Sequence, residues 1–231
     1  MKGNLVFGLL FGLGLVMLSW PAQAQENQTG LPYAAEPSGD DFRRWLLHVD
    51  IANVFTNESA DVAVGGARVP DGSVSMADNP TITFDASYFV TPNFAVNVYA
   101  GYPPRAHIKG AGSLAAFGTL ANANYGPLTV SGEYHFSDLG AFKPYIGVGV
   151  TYAVFLNVDD AALSNVDVDN AFGPAFKLGL DYDISERWTV HGYVQQVWLS
   201  TDVSATVGGA PAAANVTIDP TIVGVGLGYR F

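Results

Sequence analysis

From Trp45 onward the chain alternates apolar and polar residues with a period of two, and the joints between the alternating runs are short and long by turns. In Thr81–Val90, the residues Ile82, Phe84, Ala86, Tyr88 and Val90 interleave with Thr81, Thr83, Asp85, Ser87 and Phe89, the pattern of a strand with one apolar face. The same pattern marks Phe94–Tyr102, Leu128–Phe136 and Pro144–Leu156, and less cleanly Ala175–Ile184, Trp188–Thr201 and Thr221–Phe231; with Trp45–Val54 it predicts eight strands. Thr91–Asn93, Ser137–Phe142 and Ser185–Arg187 are tight joints, whereas Phe55–Asn79, Pro103–Gly126, Val158–Ala171 and Asp202–Asn215 are long. A soluble barrel hides its apolar face inside and has no need of that asymmetry. An even strand number with unequal ends predicts an all-β fold: an eight-stranded antiparallel transmembrane β-barrel with short periplasmic turns and long extracellular loops.

Aromatic residues on the apolar parity collect at the strand ends, which fits two interfacial girdles. Trp45, Tyr88, Phe94, Tyr134, Phe136, Tyr182, Trp188, Tyr229 and Phe231 mark the short-turn end, and Tyr102, Tyr152, Phe172 and Trp198 the loop end. Only 13% of residues are charged, against about 25% in soluble domains. A net charge of −11 repels nucleic acid, and the absence of cysteine excludes disulfides, thiol catalysis and thiolate metal sites. The four histidines, His48, His107, His135 and His191, lack ligand spacing, so neither metal nor cofactor is expected; hydrogen bonding inside the lumen suits three of them, and His107 falls in a long loop.

Lys2, the apolar stretch Leu5–Leu18 and Ala22-Gln23-Ala24 have the make-up of a cleaved signal peptide over residues 1–24. Residues 25–43 read as a mobile periplasmic segment and 44–231 as the barrel, exported to the bacterial outer membrane.

Four stretches carry a family resemblance: Asn124–Phe136 (NYGPLTVSGEYHF), Phe142–Phe155 (FKPYIGVGVTYAVF), Phe172–Val194 (FGPAFKLGLDYDISERWTVHGYV) and Asp219–Phe231 (DPTIVGVGLGYRF). In this order and spacing, over roughly 45–231, they resemble the OmpW family of outer-membrane proteins. The resemblance implies an eight-stranded barrel that passes small hydrophobic molecules, with no enzyme activity and with lateral exit into the bilayer. It also implies a narrowing tryptophan on the seventh strand, where this chain has Gln195. The terminal Phe231 looks like the signal that the barrel assembly machinery reads.

The inward parity divides the lumen in two. Toward the periplasm lie Asp85, Ser87, Glu133, His135, Asp181, Asp183, His191 and Arg230, with Lys177 higher, and Glu133, Lys177, Asp181 and Arg230 are expected to form a polar plug. Toward the loops lie Tyr99, Ala153, Phe155, Val197, Leu199 and Ile222. These either pack a narrow upper core or line an apolar funnel for hydrophobic solutes; of the two, their number favours a funnel lined by Tyr99, Phe155, Val197, Leu199 and Ile222. The expected partners are outer-membrane lipid and lipopolysaccharide, the assembly machinery and hydrophobic solutes, with the protein acting as a monomer. Two other readings exist: an adhesive barrel working through its loops, and a lipid-modifying enzyme, for which Ser87, His135 and Glu133 supply residue types but no motif.

Overall fold

The computed structural model describes residues 42–231. The segments read from sequence as a signal peptide, residues 1–24, and as a leader, residues 25–43, lie outside the described residues except for the last two positions. Eight strands form the barrel: β1 (Trp45–Phe55), β2 (Asn79–Phe89), β3 (Phe94–Gly101), β4 (Thr119–His135), β5 (Phe142–Asp160), β6 (Ala171–Asp183), β7 (Trp188–Val197) and β8 (Thr221–Arg230). Each pairs antiparallel with the next, and β8 pairs with β1 from Leu46↔Arg230 to Phe55↔Thr221, so the sheet closes on itself. The backbone amide of Phe231 adds a last bond to the carbonyl oxygen of Trp45, at 2.9 Å. Closure leaves no unpaired edge within the barrel wall, as a bilayer requires.

The apolar parity faces outward, with Ile51 72% and Val148 65% exposed. Such exposure would be costly in water, but it matches a lipid-facing belt. Aromatic pairs rim both ends of the belt. Trp45–Tyr88, Phe142–Tyr182 and Trp188–Tyr229 sit at the short-turn end with centroids 4.8–4.9 Å apart. Tyr152–Phe172, at 4.5 Å, belongs to the other end, where Trp198 is also on the outside.

The long joints are more ordered than the sequence reading has them. Beyond the belt they form further strands: Ser59–Val64, Ala67–Arg68, Gly72–Ser75, Arg105–Gly112, Ser164–Val168, Ser200–Val207 and Ala210–Thr217. Five of these (Ser164–Val168, Ser200–Val207, Ala210–Thr217, Ser59–Val64, Ala67–Arg68) make a separate extracellular sheet, and two others prolong the barrel sheet beside β4. The sequence cause is that alternation continues while its sense inverts. In the belt the inward parity is polar; in Val203, Ala205 and Val207, or Ala212, Ala214 and Val216, the inward parity is apolar, because water has replaced lipid outside.

Inward glycines make room for large lumen side chains. A methyl group at Gly179 would collide with the Tyr145 ring, and one at Gly224 with the Tyr193 ring.

Candidate functional site

The lumen is built in four layers, taken here from the periplasm upward. Leu46, Phe89 and Ala95 form a small apolar floor. Arg230 lies at this level with its guanidinium 4.8 Å over the Phe89 ring; it stands apart from the ion pairs of the layer above.

That second layer holds Glu133, Lys177 and Asp181, three of the residues assigned to a plug from sequence, all buried. The Lys177 ammonium stands 3.3 Å from Glu133 Oε1, 3.8 Å from Asp85 Oδ2 and 3.4 Å from Asn97 Oδ1. His48 bridges two acids, with Nδ1 2.8 Å from Asp85 and Nε2 3.0 Å from Asp181. A ring between two carboxylates needs a hydrogen on both nitrogens, or one acid must carry the extra proton, so this bridge holds a proton beyond the neutral imidazole. His191 pairs with Asp50 at 2.8 Å and with the Tyr145 hydroxyl at 2.8 Å. His48, Asp85 and His191 lie close enough together to suggest a metal site. The hydrogen bonding argues otherwise, since both nitrogens of His48 are engaged by carboxylates and neither offers a free lone pair. Ser87 donates to Glu133 at 3.1 Å instead of meeting His135, so this arrangement gives the serine no imidazole base to activate it.

From sequence, His48 receives a hydrogen-bonding place in the lumen without a part in the plug, and Asp50 is passed over, although strict alternation along β1 from the outward Trp45 places it inside. Tyr145 and Asn97 are passed over in the same way, although each sits on the inward parity of its strand.

The third layer is a narrow neck. Tyr99 and Tyr193 meet edge to face with hydroxyls 3.2 Å apart, and Thr83 bonds Tyr193 at 2.9 Å. Gln195 is fully buried beside them, its amide nitrogen 3.4 Å from Thr129 Oγ1, and Thr129 bonds Thr151 at 2.7 Å. Above these polar contacts stand Ile222, Val197, Leu199 and Ala153, all buried, and the half-buried Phe155. The space left between them is a cavity of only about 50 Å³.

The neck touches the barrel wall where the wall is weakest. The β3–β4 ladder runs up to Ala100↔Leu128 and resumes at Arg105↔Asn124. Between those points Pro127 faces Gly101 and Pro103 faces Gly126, and proline has no N–H with which to continue a ladder; a long Tyr125 N–H to Pro104 carbonyl bond of 3.4 Å crosses this stretch. Gly101, Tyr102, Pro104, Tyr125 and Pro127 all line the neck, yet Tyr102 is 69% exposed on the outer side.

The fourth layer is a chamber of about 370 Å³ between the separate extracellular sheet and the extension of the barrel sheet, within the usual range of about 300–1,000 Å³ for small-molecule sites. Its walls are almost wholly apolar, mostly aliphatic with Phe117 and Phe155 among them, and Val74, Leu120 and Val216 are buried at its core. Its two hydroxyl-bearing residues are already bonded within the protein: Ser113 to the Pro70 carbonyl at 2.8 Å and Thr201 to the Asp169 carbonyl at 2.6 Å.

Comparison with known proteins gives this layered barrel its relatives. The OmpW family pattern matches residues 43–231. The chain belongs to the OmpW family. Outer membrane protein AlkL of Ectopseudomonas oleovorans is 35% identical over 211 residues, covering 91% of this chain and 90% of that protein. The dibenzothiophene metabolism operon protein PahQ of Pseudomonas aeruginosa is 34% identical over 197 residues, 85% and 93% of the two chains. The solid-state NMR structure of AlkL in lipid bilayers superposes with a TM-score of 0.68 at 34% identity, covering 88% of this chain and 97% of that one. As an OmpW family barrel with relatives named for the outer membrane, the protein is an outer-membrane protein, and its exposed belt and aromatic rims are the surface that meets lipid.

Proposed function

We propose that this protein gives small hydrophobic molecules a passive route across the outer membrane: into the extracellular chamber, down the neck lined by Tyr99, Phe155, Val197, Leu199 and Ile222, and out sideways into the bilayer. The observation that carries the reading is the abrupt change of chemistry along one axis. An apolar path sits on a buried, ion-paired layer of Glu133, Lys177 and Asp181 with their histidine partners, and a hydrocarbon cannot cross that layer without stripping charges of their partners. The interrupted ladder at Pro103, Pro104 and Pro127 is the nearest alternative exit, and it opens toward lipid, where an apolar solute prefers to be.

Both chamber hydroxyls spend their hydrogens within the protein and the rest of the described wall is apolar side chain, so a polar solute recovers little of the hydration it loses there; the preferred cargo is neutral and hydrocarbon-like. Relatedness to a protein named for a dibenzothiophene metabolism operon supports the same class. The protein acts as a single closed barrel, in contact with lipid and lipopolysaccharide. Phe231, exposed at the periplasmic rim, is the signal for the assembly machinery.

The test is the initial rate at which naphthalene enters cells with intact lipopolysaccharide, in a deletion strain and in one re-expressing the protein. Re-expression should raise the rate. An unchanged rate across several hydrocarbons would overturn the reading and shift attention to adhesion through the extracellular strands.

A further inference from the structure

The chamber and the neck are adjacent cavities, and their linings share three side chains: Met76, Phe155 and Ile218. Any molecule passing from one to the other has to displace these groups. Two of them are well fixed. Phe155 belongs to β5, and Ile218 is tied through its backbone to Asn57 at 3.1 Å and to Leu199 at 2.9 Å. Met76 differs. It lies in residues 76–78, outside any strand, between Gly72–Ser75 and β2.

One carboxylate holds that segment. The Met76 backbone N–H donates to Glu58 Oε1 at 3.0 Å, and the Thr56 hydroxyl donates to the same oxygen. Glu58 itself lies in residues 56–58, a second irregular stretch between β1 and Ser59–Val64. The position matters because Ser59–Val64 belongs to the separate extracellular sheet and Gly72–Ser75 to the barrel sheet, with no ladder between them. The Glu58 bond spans that seam.

We propose that Met76, Phe155 and Ile218 form the gate between chamber and neck, and that Glu58 is the latch that keeps it shut by pinning the Met76 backbone across the seam. This assigns the restriction to a site above Gln195, the position where a family tryptophan was expected. A thioether side chain suits a movable barrier, since Met is flexible and adapts to apolar surroundings. A latch formed by one charge-assisted acceptor is strong enough to hold a segment and weak enough to release it. The proposal rests on the uptake reading above for its purpose, but the path it describes can be tested without reference to any transported molecule.

The chain contains no cysteine, so single thiols can be placed as reporters. Val203→Cys sits in the chamber wall and Val197→Cys in the neck wall. N-ethylmaleimide, small and neutral, is added to whole cells and each labelling rate is measured in the outer membrane, with and without Glu58→Ala. Releasing the latch should speed labelling at Val197→Cys about tenfold, equivalent to about 1.4 kcal/mol, and leave Val203→Cys unchanged. Met76→Ala, which truncates the gate and leaves the latch in place, should also speed the neck thiol, and it guards against a Glu58 variant that fails to fold. Comparing each thiol with itself across backgrounds removes differences in thiol reactivity. If neither variant alters the neck rate, or if both thiols speed up equally, the gate is wrong. Failure here with naphthalene uptake intact would reject the gate alone; normal labelling with no uptake would reject the transport reading.

Discussion

Replacing Lys177 with methionine tests whether the lower lumen is an ion-paired plug or merely a packed core. Lys177 is 3% exposed and has Glu133 Oε1 at 3.3 Å and Asp85 Oδ2 at 3.8 Å. At an effective dielectric constant of about 20, those separations correspond to about 5 and about 4 kcal/mol of attraction before the cost of removing the charges from water. Removing one partner of a buried pair strands the other, and such changes cost about 3–5 kcal/mol. Lys177→Met should therefore destabilise the barrel by about that amount, although the new side chain fills similar space. Neutralising Glu133 as well should restore part of the loss, giving a coupling of about 1–3 kcal/mol between the two sites. The assay is urea unfolding of the protein in lipid vesicles, followed through tryptophan fluorescence, with the double variant completing the cycle. A single variant that costs less than about 1 kcal/mol, or a double variant whose loss equals the sum of the singles, would show that the pair is not a plug.

Leu199→Asp puts a carboxylate into the apolar neck, so naphthalene uptake should fall about tenfold or more, a loss of at least about 1.4 kcal/mol, while the heat-modifiable folded band on a gel remains; normal uptake would remove that strand from the funnel. Gly179→Ala drives a methyl group into the Tyr145 ring and threatens its 2.8 Å bond to His191, a loss of about 1–3 kcal/mol for an overpacked site; unfolding in urea measures it, and an unchanged midpoint would contradict the packing. Deleting Phe231 should lower the amount of folded barrel in the outer membrane, with Phe231→Tyr close to normal, and equal folded amounts for all three would remove the assembly role. At the extracellular tip, the Asp160 carboxylate accepts the Asn165 and Val166 amides at 2.9 and 3.0 Å, which holds its pKa below the usual range. The turn is then secure above about pH 4 and loosens as pH falls through the depressed value, an exchange profile for those two amides that Asp160→Asn should flatten.

The belt was legible because lipid and lumen impose opposite chemistries on alternate residues. Val96, Val98 and Val130 point out while Asn97, Tyr99 and Thr129 point in, so a period of two in hydropathy translates directly into a wall. The buried ion-paired cluster was legible in part, because Glu133, Lys177 and Asp181 are charges on the inward parity and have few other places to go. Their partners were harder to see. Nothing local to Asp50 tells it to meet His191, 141 positions away, because it is barrel closure that pairs β8 with both strands, Asp50 and His191 each opposite Gly226, and the absent side chain there lets the two meet over it. Arg230 shows the limit of parity alone: its charge points to the plug, but its height in the barrel puts it over Phe89 instead.

The extracellular strands escaped notice for a physical reason that also bears on function. Hydropathy alternation there is as regular as in the belt, with Val203, Ala205 and Val207 on one face and Asp202, Ser204 and Thr206 on the other, but small residues and several aspartates make it look like loop. What separates the two regions is which side is apolar. In β7 and the strand Ser200–Val207 the inward parity runs on from Thr189, His191 and Gln195 through Val197 and Leu199 to Val203, Ala205 and Val207 without a change of phase. The lumen therefore turns from polar to apolar at the height where the outside turns from lipid to water. A hydrophobic solute outside the cell meets a polar exterior and an apolar interior, and one that has reached the foot of the neck, at the polar contacts of Tyr99, Tyr193 and Gln195, meets the reverse beneath it, so the favourable surface lies inside the barrel above that level and outside it below. That crossing point is where Pro103, Pro104 and Pro127 interrupt the wall, which is why the proposed path turns through the break in the ladder instead of following the barrel axis.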